Sequence, residues 1–520
     1  MIIITSGEYI TPQLRAEFGK IPPSFLPLAN KRLYIHQVEL MASRAKNKEK
    51  IILTVPQGYE IYASDLKKLD SLEVTIVKVS ESLSLKESLL YTLNMLLPID
   101  ESVSILHGDT LFTQINLSST EDRLEVAQSD SYYDWTYIAP DGKPIFNTTN
   151  FLKSNANEES IVSGYFNFTS AYALIQALIR SEDFISALKF YSQERPFKLT
   201  LNNTWLDFGL TSTYFHSRKN FTTERAFNSL KIENGYVEKS SEKEGKLFAE
   251  INWFTRFPQS AELFLPRFSA ENDNSYKTEY LYLSGLNELF VFGALPAYTW
   301  KQIFSSTNNF LNQLHQNKID EKVNFIYKEK TLERLVEFTQ KLGLDMNKSW
   351  CLNGEQFPSL NAIIKSLDLY MNSEFESCYI HGDMHFANIM YDFRSELIKT
   401  FDPRGMDFDG KVTPAGHKLY DFAKLQHSVI GLYDFIIAGL YELSYSKPYE
   451  LSFELNLPEN IQNIQNIFDE VFNLSSNKEV FAITIHLFLS MIPLHDDDEQ
   501  RQFALLANAF RLYKIFREGV

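Results

Sequence analysis

A chain of 520 residues with 44% hydrophobic and 14% aromatic residues is globular and too long for one ordinary core, so two or three domains are expected. A formal net charge of −16 argues against nucleic acid or an anionic membrane as the main partner, because both demand a basic face. The two cysteines, Cys351 and Cys378, have neither CxxC nor metal-ligand spacing, which fits a reducing cytoplasm rather than a disulfide framework.

The chain opens with "MIIITSGEYI", which lacks the basic flank and the length of a signal peptide. No run reaches the roughly 18 apolar residues of a membrane span. A cytoplasmic protein without membrane insertion is therefore expected. The β-branched runs 2–5, 50–55, 74–79 and 103–106 predict strands, and the amphipathic stretches 34–46 and 85–97 predict helices between them. This alternation predicts βαβ units and an α/β fold with a doubly wound, mostly parallel sheet. Ligands of such sheets sit beyond the carboxyl ends of the strands, where "HGDT" (107–110) falls.

The texture changes near residue 220. Residues 226–241 read as two strands joined by Asn234-Gly235, a strong hairpin signal, and 245–257 as a helix. From about residue 300 the period is helical, for example over 329–342, 358–373, 418–445 and 478–493. The expected domains are 1–218, a small β-rich lobe over 219–290 and a helical lobe over 291–520. No internal repeat, low-complexity tract or long linker interrupts them.

The tripeptide His-Gly-Asp occurs at 107–109 and again at 381–383, and the second copy is followed by Asn388 in "HGDMHFANIMYD" (381–392). Phosphoryl transfer from ATP needs a carboxylate facing the acceptor hydroxyl, metal ligands and a lysine on the phosphates. Asp383 and Asn388 have the spacing of such a loop aspartate and metal-holding asparagine. "LIKTFDPRG" (397–405) adds a short strand ending in Asp402, a second metal ligand. Upstream, Lys239 lies on the second hairpin strand and Glu250 on the next helix, so a Lys–Glu ion pair is expected. Lys243 and Lys246 compete with Lys239, which alone lies in strand pattern.

"YIHGDMHFANIMYD", "FDPRG" and "YDFAKLQHS" (420–428) together resemble the aminoglycoside phosphotransferase and choline kinase family, over roughly 225–520. The resemblance implies a protein-kinase-like domain that uses ATP and Mg²⁺ to phosphorylate a small molecule's hydroxyl. It implies Asp383 as catalytic base, Asn388 and Asp402 as metal ligands, and Lys239 with Glu250 at the phosphates. The family commonly lacks a full glycine-rich loop, and this hairpin has only Gly235. Nucleotide grip is then expected from the lysine, the metals and a hinge within 278–290. Among the other polar residues, His381 reads as a structural group holding the loop through a backbone hydrogen bond, and His385 as either facing substrate or filling space. Asp407 and Asp409 read as a solvated turn. Asp421 reads as an early helical acid that favours the dipole or caps nearby donors. The sequence assigns no role to Arg404.

In the first half, Asp109 closes a buried strand, and Asp207 with Gly209 follows a second apolar run in "TWLDFGLTSTYFHS" (204–217). Two aspartates at the ends of neighbouring strands suit one Mg²⁺ bridging a nucleotide and a sugar phosphate, since attack at an α-phosphorus requires charge neutralisation. "FLPLANKRLYIHQVELM" (25–41), "LHGDTLF" (106–112), "SGYFNFTSAYALIQAL" (163–178) and "WLDFGLTSTYF" (205–215) resemble the sugar-phosphate nucleotidyltransferase family. That resemblance implies Asp109 and Asp207 as metal ligands and CTP, UTP or GTP as a second nucleotide. The chain departs from the family at its opening loop. There "TSGEYITPQLRAEFGKIPPSFLPL" (5–28) carries one early glycine, Gly7, and Pro23 where the family has lysine; Arg15 and Lys20 are the candidates to substitute.

Together these readings imply a bifunctional enzyme that phosphorylates a small alcohol or sugar and then activates the phosphate, in the manner of building blocks for bacterial capsule or lipopolysaccharide. Its partners would be a small-molecule substrate and nucleotides, with homo-oligomerisation left open. Two alternatives stand beside it: a kinase with a degenerate, nucleotide-sugar-binding or regulatory first domain, and a non-catalytic scaffold for glycan assembly.

Overall fold

The structure is a computed structural model, described here for residues 1–44, 50–97, 102–117, 120–128, 137–138, 160–221, 229–241, 245–372 and 374–518. Lys243 and the first predicted hairpin residues, 226–228, lie outside this set. The chain divides into two compact units, Met1–Thr222 and Thr223–Val520.

In the first unit the four predicted strands form Ile2–Thr5, Ile51–Pro56, Val74–Val79 and Val103–His107, all mutually parallel where they pair. The sheet continues through Ser160–Phe168, antiparallel to its neighbours, to Arg123–Gln128 and Lys198–Leu201. The fold class is thus α/β with a mostly parallel sheet. Nearly every residue of the central strands is buried, as expected when helices cover both faces of a parallel sheet. Ile3, Ile52 and Ile105 share a core with Leu89 and Leu93 of the Leu85–Met95 helix. That helix starts where a capping box forms, Ser84 accepting from the Glu87 N–H while the Glu87 carboxylate accepts from the Ser84 N–H.

The second unit opens with a four-stranded antiparallel sheet, ordered Ser229–Glu233, Tyr236–Ser240, Ser275–Glu279, Phe268–Asn272. Its hairpin turns on Asn234 and Gly235, both with positive φ (50° and 79°), the requirement of a tight type I′ connection. The expected helix follows as Lys246–Thr255. Beyond it come the helices Ala297–His315, Tyr327–Leu342, Leu360–Asp368, Lys418–Val429, Ile461–Phe472, Lys478–Met491 and Glu499–Glu518, around a core that includes Leu335, Phe338, Trp350, Phe488 and Phe510. Among the described residues no helix is long and apolar enough to cross a membrane.

The continuous helix expected over 418–445 is a correction. It stops at Val429, because Gly431 lies so close to the His427 carbonyl and Phe488 that a Cβ would meet them at 2.2 and 2.5 Å, and Leu432 takes positive φ. A short helix, Tyr433–Ile437, then leads into the strand Tyr441–Lys447, paired with Glu450–Leu455. Tyr-Glu-Leu-Ser-Tyr-Ser alternates with period two, a strand signal obscured by the preceding helical run.

The helical core of this unit holds histidines that fold in their neutral form. Burial pushes His417 and His486 each down to about 4. An unfolded histidine titrates near 6.5, so stability is present above that value and is lost as the pH falls towards the folded value. We expect the unfolding free energy of the second unit to drop between pH 7 and pH 5 by on the order of 2 kcal/mol per histidine, read as a lower denaturant midpoint. A midpoint constant over that range, followed by a tryptophan or circular-dichroism signal, would contradict these burials.

Candidate active sites

In the second unit the hairpin Ile389–Asp392/Leu397–Thr400 pairs Ile389 with Thr400. This register sets Asn388 opposite Phe401, whose N–H donates to the Asn388 carbonyl at 3.2 Å, so Asp402 emerges beside Asn388. Asp402 has positive φ (54°), a conformation aspartate tolerates better than most residues. Its Oδ1 accepts a hydrogen bond from Lys239 Nζ at 3.0 Å. The same ammonium donates to Glu250 Oε2 at 2.6 Å, and the Tyr276 hydroxyl donates to that oxygen at 2.8 Å. Burial pulls the Lys239 ammonium down, but Asp402 and Glu250 outweigh it and hold its pKa above the ordinary lysine value. Gly405 ties the turn to the Glu250 helix: with φ of 65°, a Cβ there would lie 2.2 Å from the Ala249 carbonyl oxygen. Of the competing lysines, Lys246 is exposed at the helix start.

The Asp383 loop is held from beneath. Asp421 is fully buried and accepts from the backbone N–H groups of His381 (3.0 Å) and Gly382 (2.7 Å), while His315 reaches its Oδ2 at 3.0 Å. Its carboxylate thus caps the Asp383 loop rather than its own helix. His381 is buried; its Nδ1 accepts from the Asp383 N–H at 3.2 Å and its Nε2 lies 3.1 Å from the Phe401 carbonyl, so the imidazole links the Asp383 loop to the Asp402 strand. Asn388 Nδ2 donates to the Asp383 backbone oxygen at 3.0 Å and its Oδ2 at 3.1 Å. Asp383 Oδ1 faces Lys424 Nζ at 2.8 Å, and Oδ2 lies 3.6 Å from His385 Nε2. Burial would raise the Asp383 pKa, but Lys424 and His385 hold it well below the usual carboxylate range. It is ionised throughout the neutral range, fit to orient a hydroxyl and accept its proton late.

Lys424 was not anticipated, although it lies within the quoted "YDFAKLQHS"; its position one helical turn after Asp421 was the available signal. Asp407 accepts from the backbone N–H groups of Asn324, Asp409 and Lys411, and Asp409 from the Asn324 amide, so both organise a turn. The segment 278–290 runs from the end of a sheet strand to Ser284-Gly285, which pairs with Met390 and Tyr391 beside Asn388.

In the first unit Gly108 lets the Asp109 turn close. A Cβ there would lie 2.6 Å from the Thr5 carbonyl oxygen, so only glycine permits the approach. Gln37, unremarked within "YIHQVELM", donates to the carbonyls of Gly108 (3.0 Å) and Thr110 (2.8 Å), fixing the turn from a helix. The strand Trp205–Asp207 pairs with Thr110–Phe112, Asp207 opposite Thr110, and the Phe208 N–H donates to the Asp109 carbonyl at 2.8 Å. The two carboxylates flank Gly209, whose Cβ would lie 2.7 Å from Asp109 Oδ2 and 3.5 Å from Asp207 Oδ1. Burial first, then the charge of Asp109, push the Asp207 pKa up to about 7, and its buried Oδ2 has no hydrogen-bond partner. Arg15 donates to the Ile10 carbonyl at 2.6 Å, and Lys20 lies 3.4 Å from Glu81; both also rest on the Tyr9 ring.

Both places suit a hard divalent cation, which takes oxygen donors. In the first unit the orphaned Asp207 oxygen beside a second carboxylate is the fitting observation. In the second, neither the Asn388 side-chain oxygen nor the second Asp402 oxygen accepts a protein hydrogen bond among the described residues.

No protein-family model matches the chain, and no curated protein matches it. Solved structures similar to parts of it include nucleotidyl transferases and small-molecule kinases. The inositol-1-phosphate CTP transferase from T. maritima shares 15% identity over 43% of this chain and 97% of its own, with a TM-score of 0.31. The streptomycin–ATP–APH(2")-IIa ternary complex shares 14% over 59% of this chain and 97% of its own, with a TM-score of 0.36. A choline/ethanolamine kinase family protein from Mesorhizobium loti shares 10% over 57% and 91%, with a TM-score of 0.33.

The geometry of the aspartate pair sets a pH signature. Because Asp207 holds its proton up to about pH 7, a cation that binds both carboxylates must displace it. Titrating the protein with MgCl₂ at pH 6.5 in buffers of different ionisation heat should show release of roughly three-quarters of a proton, lost in Asp207→Asn. Binding without proton release would overturn the pairing.

Proposed function

We propose that the second unit is an ATP-dependent kinase acting on the hydroxyl of a small molecule. The observation that carries this reading is the Lys239 ammonium bridging Glu250 and Asp402 beside an Asn388–Asp383 contact, groups spread over more than a hundred residues of sequence. Asp383 orients the acceptor hydroxyl and takes its proton as the hydroxyl oxygen bonds to the γ-phosphorus and the bond from that phosphorus to the β,γ-bridging oxygen breaks, releasing ADP; Lys239 holds phosphate oxygens. Magnesium, held by Asn388 and Asp402, would neutralise charge on the phosphates. The first unit is read as a nucleotidyltransferase in which Asp109 and Asp207 hold a metal and CTP, UTP or GTP is consumed. Consecutive phosphorylation and nucleotidylation would make activated building blocks for a bacterial surface glycan, in a cytoplasmic enzyme.

A second reading, a kinase with a degenerate or regulatory first unit, is favoured by the placement of Arg15 and Lys20. Both are committed to Tyr9 and its neighbours rather than to the carboxylate pair in the contacts described.

Asp383→Ala should lower ADP formation by ~10²–10⁴-fold, the usual cost of losing a general base. Undiminished ADP release would remove Asp383 from the chemistry. Asp109→Ala should abolish pyrophosphate release while ADP formation persists. Wild-type protein that releases no pyrophosphate with any common NTP would favour the second reading.

A further inference from the structure

Against a formal net charge of −16 for the whole chain, the surroundings of Asp383 are rich in basic side chains. Lys330 of the Tyr327–Leu342 helix lies with its Nζ 3.8 Å from the centre of the Phe408 ring, and the Arg404 guanidinium lies 5.1 Å from the same ring. Phe408 in turn packs against Tyr420, whose ring lies 5.8 Å from Lys424 Nζ. Arg334, one turn beyond Lys330 on the same helix, donates to the Ser490 carbonyl at 2.9 Å. Lys424 is paired with Asp383, but Lys330, Arg334 and Arg404 have no carboxylate within 4.0 Å among the described residues. Burial first, then Arg404, Arg334 and Lys424, push the Lys330 ammonium down to about 6, with Asp383 acting against them. Burial and the two guanidinium groups, neither with a counter-charge, leave the Lys330 amine largely unprotonated at neutral pH; an anion between them would relieve the repulsion and return Lys330 to its ammonium form.

We propose that the acceptor presents its hydroxyl to Asp383 from a molecule that also bears an anionic group, a phosphate monoester or a carboxylate, seated against Lys330, Arg334 and Arg404. This rests on the kinase reading of Asp383 and names the substrate class of that site. Arg334 Nη1 holds the Ser490 carbonyl, and Arg404 Nε and Nη2 hold the Met406 and Asp407 carbonyls, which leaves their remaining N–H groups for the oxygens of such a group; Lys330 and Arg404 rest on the Phe408 ring. The same cluster repels an amine-bearing acceptor, because the two guanidinium charges would face a third. The Lys239, Asn388 and Asp402 group supplies the nucleotide's requirements separately.

The test uses the full chain with Mg²⁺-ATP and ADP release as readout, on uncharged sugars, amino sugars and amino alcohols, sugar phosphates and sugar acids. Turnover should favour the anionic arms at least tenfold in kcat/KM over the uncharged parent, and the phosphate and acid arms tell which anion is bound. Lys330→Ala and, separately, Arg334→Ala should raise the acceptor KM about tenfold and leave the KM for ATP unchanged. Equal or better turnover of uncharged or amine-bearing acceptors, or a rise confined to the ATP KM, overturns the proposal. Should no acceptor release ADP, the kinase reading is what fails, and the cluster is then judged by binding alone. Inorganic phosphate, titrated with a non-hydrolysable ATP analogue and Mg²⁺ saturating, should raise the unfolding midpoint of the wild type but not of Lys330→Ala; no shift in the wild type overturns the anion site.

Discussion

The second unit depends on one buried ammonium. Lys239 retains 7% of its side-chain exposure and Glu250 1%, so both charges are largely out of water. Removing an ion from water costs several kcal/mol even after relaxation, and the cost is met only when the geometry satisfies both partners. Here Glu250 also accepts from Tyr276, and the ammonium has a second carboxylate in Asp402, which stays 44% exposed. One cation is thus shared by a fully buried acid and a half-open one. The buried pair fixes the sheet against the Lys246–Thr255 helix, while the open carboxylate is left facing solvent, where a ligand can reach it. With two carboxylates to one ammonium, the group carries an excess of negative charge that suits a metal ion beside it.

That arrangement depends on backbone as much as on charge. Asp402 lies in the left-handed region, Gly382 has φ of 77° and Gly405 of 65°, all within the two loops that carry the polar groups. Positive φ costs little at glycine and somewhat more at aspartate, so the strain is concentrated where side chains must be aimed. Asp421 and His381 bear the load from the core side, linking the two loops through backbone donors and a carbonyl rather than through substrate-facing atoms.

Legibility in the sequence followed the range of the interactions. The strands of the first unit were readable because each is a local β-branched run, and the hairpin because Asn-Gly has one conformational use. The juxtaposition of Asp383, Asn388 and the Asp402 turn was readable because their spacing along a loop and a hairpin reflects their geometry. Lys330, Arg334 and Arg404 were not, since their meeting depends on how a helix near residue 330 packs over a turn near residue 405, and a lysine on an amphipathic helix reads as solvated. Tyr276 and Gln37 escaped for the same reason: their partners come from other elements. The helix drawn through 418–445 failed at Gly431 because the close approach of Phe488, distant in sequence, ends it.

The repeated tripeptide shows how little three residues dictate. In His381-Gly382-Asp383 the glycine needs positive φ, the imidazole bonds at both nitrogens and the aspartate faces a lysine. In His107-Gly108-Asp109 the glycine is needed for proximity to the Thr5 carbonyl, not for φ, and the buried imidazole has an Nε2 without a partner. Its aspartate faces another aspartate rather than a cation. The charge balance differs accordingly. Asp383 is compensated by the protein and stays ionised without help, whereas the Asp109–Asp207 pair is under-compensated and favours either a shared proton or a cation. A carboxylate held ionised by lysine suits contact with a hydroxyl; a crowded pair suits a metal. The two units therefore place one sequence fragment in two electrostatic environments, and the residue opposite the aspartate decides which.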